Sequence, residues 1–466
     1  MSRNVDVIQA PSLNYVSTRN ACKLCAPLGA CLAIRGVEGA VPFLHGSQGC
    51  ATYMRRYIIS HFKEPMDIAA SNFSETSAIF GGGENLRAGL RNVTRQYRPG
   101  LIGVATTCLC ETIGEDVSLL LHEYRESPEG GGAPALVHIS TPSYRGTHMD
   151  GFHSAVRAVV DTLAEEGPRQ THFNVFPGMV SPADLRYLKE VFDDFGAPAV
   201  ILPDYSETLD GPALVNYQKI PAGGTPLAAI RSVGRALATL EFGHTIAANA
   251  TAGALLDERF GVPLYRLGLP IGVKETDSLF QVIETLTGRA IPLRHQLERG
   301  RLIDAYVDGH KYVFGKRAVV YGEEDLVTGL AAFLSEIGIV PILCASGGES
   351  GALARAVAEV TRRSAGAEPR IAVEDVVVRE GADFMSIAEE AAALRPDFLI
   401  GNSKGQALAR QLGIPLVRVG FPIHDRIGGP RLLHIGYRGA QQLFDRIANT
   451  LIERKQESSS VGYSYM

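Results

Sequence analysis

The chain has 466 residues and a formal charge of -5, with 45% hydrophobic and 20% charged residues, so about three domains of roughly 150 residues each are expected. A pI near 6.2 and the lack of a basic cluster interleaved with aromatics argue against nucleic acid as a partner. No apolar run reaches the ~18 residues that cross a bilayer, and the opening MSRNVDVIQAPSLNY lacks the apolar core of a signal peptide, so no membrane partner and a cytoplasmic location are expected.

Taken in chain order, NACKLCAPLGA (20–30) precedes a helical pattern. GAVPFL (39–44) reads as a strand that runs into HGSQGC (45–50), a turn with two glycines and a cysteine. SNFSETSAIFGGGENL (71–86) holds a glycine-rich turn but lacks the Lys–Ser/Thr of a P-loop, so a tight turn at an interface is the better reading. LIGVATT (101–107) and ALVHIST (135–141) are strands, as are FNVFPG, AVILPD, RAVVYG, VPILCAS, DFLIGNS and LVRVGFP further on. Consecutive Val, Ile and Leu mark strands buried on both faces. Between them DLRYLKEVFDDFG and DLVTGLAAFLSEIG have apolar residues at three-to-four spacing and end on glycine, as capped helices do.

This alternation predicts an α/β chain of three Rossmann-like, doubly wound domains with parallel sheets. The boundaries are drawn at 1–168, 169–305 and 306–466. The polar stretch 294–318 is expected to have a helical first half and to lead into the first strand of the third unit, and the tail RKQESSSVGYSYM to be frayed or used at an interface.

Six of the seven cysteines lie in the first quarter: Cys22, Cys25, Cys31, Cys50, Cys108 and Cys110, with Cys344 alone later. An odd number in a reducing compartment points to metal or redox chemistry rather than disulfides. Cys50 and Cys108 follow strands, where parallel sheets gather ligands, and Cys25 precedes a helix start. Backbone N–H groups of a glycine turn stabilise thiolates and cluster sulfides. Cys22-x-x-Cys25 resembles a zinc half-site, but no second half-site follows. His45, His61 and the His424–Asp425–Arg426 run are read as structural, hydrogen-bonded or salt-bridged residues.

NACKLCAPLGA, PFLHGSQGCATYMRRYIISHFKEP, SETSAIFGGGENL, GVATTCLCETIGEDV and ISTPSYRGTHMDGF occur in this order. Together with VILPDYSETLDGP, RPDFLIGNSKG and VGFPIHDR they resemble the β-type subunits of the nitrogenase component 1 superfamily over nearly the whole chain. The resemblance implies that Cys25, Cys50 and Cys108 ligate half of a P-cluster, an [8Fe-7S] iron–sulfur cluster shared with a partner. It puts a serine ligand of the oxidised cluster at Ser143. Tyr53 matches an aromatic between that cluster and the active-site cofactor, and Phe80 matches a residue of the docking surface for the ATP-dependent Fe protein. No catalytic residue is expected here, because the substrate-reducing cofactor belongs to the α-type partner of an α2β2 heterotetramer. Cys22 and Cys110 are candidate ligands that fall off the family's positions, and are read as thiols that support the ligand turns or the fold.

Three thiols are one short of the four an ordinary cubane takes, which a shared cluster resolves. Retention of all three cysteines and the serine favours a catalytic reductase over the β-type subunit of the cofactor-maturation scaffold with its [4Fe-4S] cluster. Only 24 residues precede Cys25, and with the divergent second domain this suggests a nitrogenase-like methylthio-alkane reductase, which cleaves carbon–sulfur bonds. A dinitrogen-reducing β subunit is the alternative.

Overall fold

The computed structural model describes residues 21–132, 134–364 and 376–459. The first unit runs through α1 (Ala26–Arg35), β1 (Ala40–His45), α2 (Gln48–Phe62), β2 (Ala69–Ala70), α3 (Glu75–Phe80), α4 (Gly83–Tyr97), β3 (Leu101–Thr106), α5 (Cys108–Thr112), α6 (Val117–Glu126), β4 (Ala135–Ile139) and α7 (His148–Leu163). Its strands pair in parallel in the order β2-β1-β3-β4.

The second holds β5 (Phe173–Phe176), α8 (Pro182–Asp194), β6 (Ala199–Ile201), α9 (Leu227–Ser232), β7 (Ala238–Phe242), α10 (Ala252–Phe260), β8 (Leu264–Leu267), α11 (Val273–Thr287) and α12 (Leu293–Val313). Its parallel order is β6-β5-β7-β8.

The third comprises β9 (Arg317–Gly322), α13 (Glu324–Glu336), β10 (Val340–Ser346), α14 (Leu353–Ser364), β11 (Val377–Arg379), α15 (Phe384–Leu394), β12 (Phe398–Gly401), α16 (Gln406–Leu412), β13 (Leu416–Arg418) and α17 (Gly436–Ser458). The order β11-β10-β9-β12-β13 reverses direction at β9, as a doubly wound sheet does.

The three Rossmann-like parallel sheets predicted from the sequence are therefore present. Every residue of β1 and β3 is buried, which is why their sequences show apolar runs rather than alternation. One apolar core crosses all three sheets, from Leu44 through Val175 to Val320.

Some local expectations change. α12 covers Leu293–Val313, so the polar stretch there is helical almost throughout. Strands β7 (ATLEF) and β8 (LYRL) were not among the apolar runs, because Glu241 and Arg266 interrupt them. The tail segment RKQES continues α17 to Ser458, and residues 460–466 lie outside the described residues.

Helices α1 and α7 touch backbone to backbone. A Cβ on Gly29 would lie 1.6 Å from the His148 carbonyl oxygen, and one on Gly151 would lie 1.8 Å from that of Ala26. The contact sets the start of α1 beside the start of α7. There the His148 N–H donates to the Leu24 carbonyl at 2.9 Å, and the Leu24 N–H donates to His148 Nδ1 at 3.3 Å.

Candidate metal centre

Cys25, Cys50 and Cys108 each sit where a helix begins. Cys25 is the N-cap of α1, with extended backbone and a proline in the first turn. Cys50 lies in the first turn of α2, behind the Ser47 cap, whose Oγ accepts from the Gly49 N–H at 3.3 Å. Cys108 opens α5 directly after β3. All three are half-buried and unpaired, whereas Cys22, Cys31, Cys110 and Cys344 are buried.

Close approach of two turns joins Cys50 to Cys108. A Cβ on Gly46 would fall 1.9 Å from Thr107 Oγ1, so only glycine lets the residue before Cys108 come this near. The Thr107 N–H then donates to the His45 carbonyl at 3.1 Å. The loop after β4 is tied to the same edge, since Thr141 Oγ1 donates to the Thr106 carbonyl at 2.7 Å.

Burial, then the neighbouring Cys25 and Cys108 sulfurs, push the Cys50 thiol above its ordinary range. The three sulfurs thus repel one another when ionised. The first turns of α1 and α2 carry no acidic side chain, so their positive helix ends are left to stabilise anionic sulfur. A group that brings iron between the thiols relieves the repulsion and keeps all three as thiolates. The donor set fits such a group: soft, half-open to the outside, and one ligand short of a closed cubane.

Ser143 lies in the half-buried turn after β4, and its hydroxyl makes no hydrogen bond among the described residues. Tyr53, 48% exposed on α2, donates its hydroxyl to that of Tyr57 at 3.1 Å. That bond, then burial and the nearby Cys25, push it up to about 12. Phe80, at the end of α3, is 82% exposed. Cys22 lies instead in the apolar core of the third sheet, pushed up to about 12 by burial and then Glu323. Cys110 is fully buried and its sulfur donates to Glu115 at 3.7 Å. Both sulfurs are thus taken up within the chain, one by apolar packing and one by a carboxylate.

His45 and His61 are likewise hydrogen-bonded within the chain: His45 to Ser71 and Glu115, His61 to the Ile423 N–H. Asp425 pairs with Arg418 at 2.6 Å. The sequence reading did not single out Glu115 or the buried His148–Glu323 pair, which meets at 3.0 Å. Glu115 lies within the stretch GVATTCLCETIGEDV, but nothing in that stretch names its partner across the fold.

Fold and site together define a class: an α/β chain of three successive Rossmann-like sheets with a soft-metal donor set at the edge of the first. The family model for "nitrogenase component 1 type oxidoreductase" matches residues 25–452. The chain belongs to that family, and within it to the β type. It is 34% identical to the nitrogenase molybdenum-iron protein beta chain of Clostridium pasteurianum, over 93% of either chain. It is 35% identical to the nitrogenase vanadium-iron protein beta chain of Trichormus variabilis, over 92% of either. The solved structure "Nitrogenase Cp1 at pH 6.5" superimposes with a TM-score of 0.92 at 32% identity, covering 99% of this chain and 98% of that one. No helix among the described residues is long and apolar enough to cross a membrane.

Proposed function

We propose that this chain is the electron-relay, β-type subunit of the catalytic component of a nitrogenase-type, ATP-coupled reductase. The observation that carries the reading is the gathering of Cys25, Cys50 and Cys108, half-exposed, at the helix starts of one sheet edge. These thiolates, with Ser143, are this chain's ligands to an interfacial P-cluster of the [8Fe-7S] type. An α-type partner completes it in an α2β2 heterotetramer. When bound, that cluster supplies one-electron transfer between the Fe protein and the partner's metallocofactor.

The chain's own residues do the rest. Helix ends hold the negative charge of the sulfurs. The Gly46–Thr107 contact fixes the spacing of two ligand turns. Ser143 offers a hydroxyl that binds as alkoxide when the iron is a stronger Lewis acid. Tyr53 lies on the electron path, and Phe80 with Ile79, 74% exposed, offers the docking surface. The complex works in the cytoplasm.

The molybdenum-iron and vanadium-iron names of the relatives favour dinitrogen reduction over the carbon–sulfur cleavage that the 24 residues before Cys25 and the divergent second domain suggested first. The α-type partner sets that choice. The test is anaerobic purification with the partner, followed by iron analysis and size-exclusion chromatography with light scattering before and after chelation. A heterotetramer with eight interfacial irons per αβ pair, loosened by chelation, is expected. Four irons per interface would mark a maturation scaffold instead. A fully loaded monomer would overturn the shared-ligand reading.

A further inference from the structure

The exposed pair Ile79–Phe80 ends α3, and the chain turns at Gly81 (φ 93°) and Gly82 into α4. The turn is held from both sides. A Cβ on Gly82 would meet the Phe73 ring at 2.2 Å, and one on Gly81 would come within 3.3 Å of Glu115 Oε1. The Gly82 N–H donates to that same Oε1.

The other oxygen of Glu115 faces inward. It lies 2.8 Å from His45 Nε2 and accepts from the Cys110 sulfur at 3.7 Å. His45 ends β1, five residues before Cys50, and Cys110 is two residues beyond Cys108 in α5. A second link backs the first: Ser71 Oγ lies 3.0 Å from His45 Nδ1 and accepts from the Gly46 N–H at 2.8 Å. One carboxylate, its side chain only 9% exposed, therefore touches the turn behind Phe80, the end of the strand that runs into the Cys50 turn, and the helix that carries Cys108. His45 Nε2, Cys110 Sγ and Glu115 Oε2 lie within 4.8 Å of one another. Their mutual hydrogen bonds account for this convergence without a second metal.

We infer that Glu115 is the positioning residue that transmits docking at Ile79–Phe80 to the turns holding Cys50 and Cys108. The inference rests on the reading above that the electron donor docks at Phe80. Phe73 packs against Gly82 and Glu115 holds its N–H, so a push on the apolar pair bears on the carboxylate. The carboxylate in turn holds His45 and Cys110.

The test uses the complete complex with its α-type partner, as wild type, Glu115→Ala, Glu115→Gln and Phe80→Ala. Iron content and the resting visible and paramagnetic spectra are recorded first, and all variants are expected to match wild type. Amide hydrogen exchange is then compared with and without Fe protein locked on by ADP and aluminium fluoride. In wild type, docking slows exchange at 79–82 and also at 45–50 and 108–115. In Glu115→Ala the slowing stays confined to 79–82, and Glu115→Gln, which keeps an acceptor for Gly82, restores it.

At saturating donor, Glu115→Ala lowers the electron-transfer rate about tenfold, a common size for coupling between sites, with unchanged half-saturation. Phe80→Ala does the reverse, raising half-saturation and keeping the saturated rate. Ser71→Ala cuts the second link without touching the carboxylate and is expected to weaken the remote slowing alone. Wild-type slowing at both thiol turns in Glu115→Ala overturns the inference, and so does loss of iron in that variant before any donor is added. Absence of slowing at 79–82 in wild type itself sinks the docking assignment instead.

Discussion

The carboxyl edges of the first and third sheets both belong to parallel, helix-flanked sheets and differ in how they treat charge. At the first edge, α1 and α2 begin with no acidic residue in their opening turns, and the side chains there are thiols. At the third edge, α13 opens with Glu324 and Asp325 behind Glu323. Those carboxylates are taken up within the chain. Asp325 accepts from the His244 and Thr245 N–H groups at 2.7 and 3.0 Å, Glu324 accepts from Ser350 at 3.2 Å, and Glu323 holds His148. Helix ends that neutralise themselves leave nothing for an outside anion, while those of α1 and α2 stay available for sulfur-rich iron; α5, which opens on Cys108, carries Glu111 in its first turn. Parallel α/β topology alone does not mark a site; the charge left without an internal partner does.

Removing a thiol from each region should separate them most sharply. Cys50→Ala or Cys108→Ala is expected to strip the complex of its interfacial iron, because a methyl group cannot replace an iron–thiolate bond. Cys344→Ala, at a fully buried position of β10, should keep the iron and lower stability by about 1–2 kcal/mol, an ordinary small core truncation. Iron per complex and visible absorbance are the measurements. Equal iron in all three variants would erase the distinction between the edges.

A smaller effect is expected from the glycines that end strands. A Cβ on Gly46 meets Thr107 Oγ1 at 1.9 Å, and one on Gly401, at the end of β12, meets the Tyr321 carbonyl at 2.4 Å. Both alanine variants should lose about 2–3 kcal/mol, as overpacked sites do. Only Gly46→Ala spreads the Cys50 and Cys108 turns, so only it should lower iron occupancy, to half or less. Iron loss in Gly401→Ala would mean that general destabilisation, not turn spacing, controls the site.

The half of the comparison that rests on thiols was legible in the sequence, because each cysteine sits in a contiguous strand-turn or helix-start motif. The strands were legible where both faces are buried, as in LIGVAT of β3. They were obscured where function-neutral charge sits inside, as with Glu241 in β7, 3% exposed. α12 read as polar because much of its surface faces outward: only His295, Glu298, Leu302 and Val313 are buried. The tethers were invisible for a different reason. Glu115 finds His45 across 70 residues, and Glu323 finds His148 across 175. No local pattern records a partner set by the meeting of strand ends.

The smallest effect belongs to the third edge and bears on how it closes itself. Burial, with Glu380 and Asp325 adding to it, pushes Glu324 up from 4.5 to about 7 against the hydrogen bonds from Ser350. Its folded pKa thus exceeds its unfolded one, and between about pH 4.5 and pH 7 the folded chain holds a proton that the unfolded chain has released. The stability it contributes is full below the unfolded pKa and declines as pH rises through the folded one. Gln matches the protonated acid and does not titrate. The midpoint of thermal unfolding of wild type, relative to Glu324→Gln, should therefore fall by a few degrees from pH 5 to pH 7.5 and level off above that. Iron content should stay equal throughout. A constant difference across this range would mean that Glu324 is ionised at both ends. The opening of α13 would then carry the Glu324 charge across the whole range, and the contrast with the acid-free opening turns of α1 and α2 would be complete.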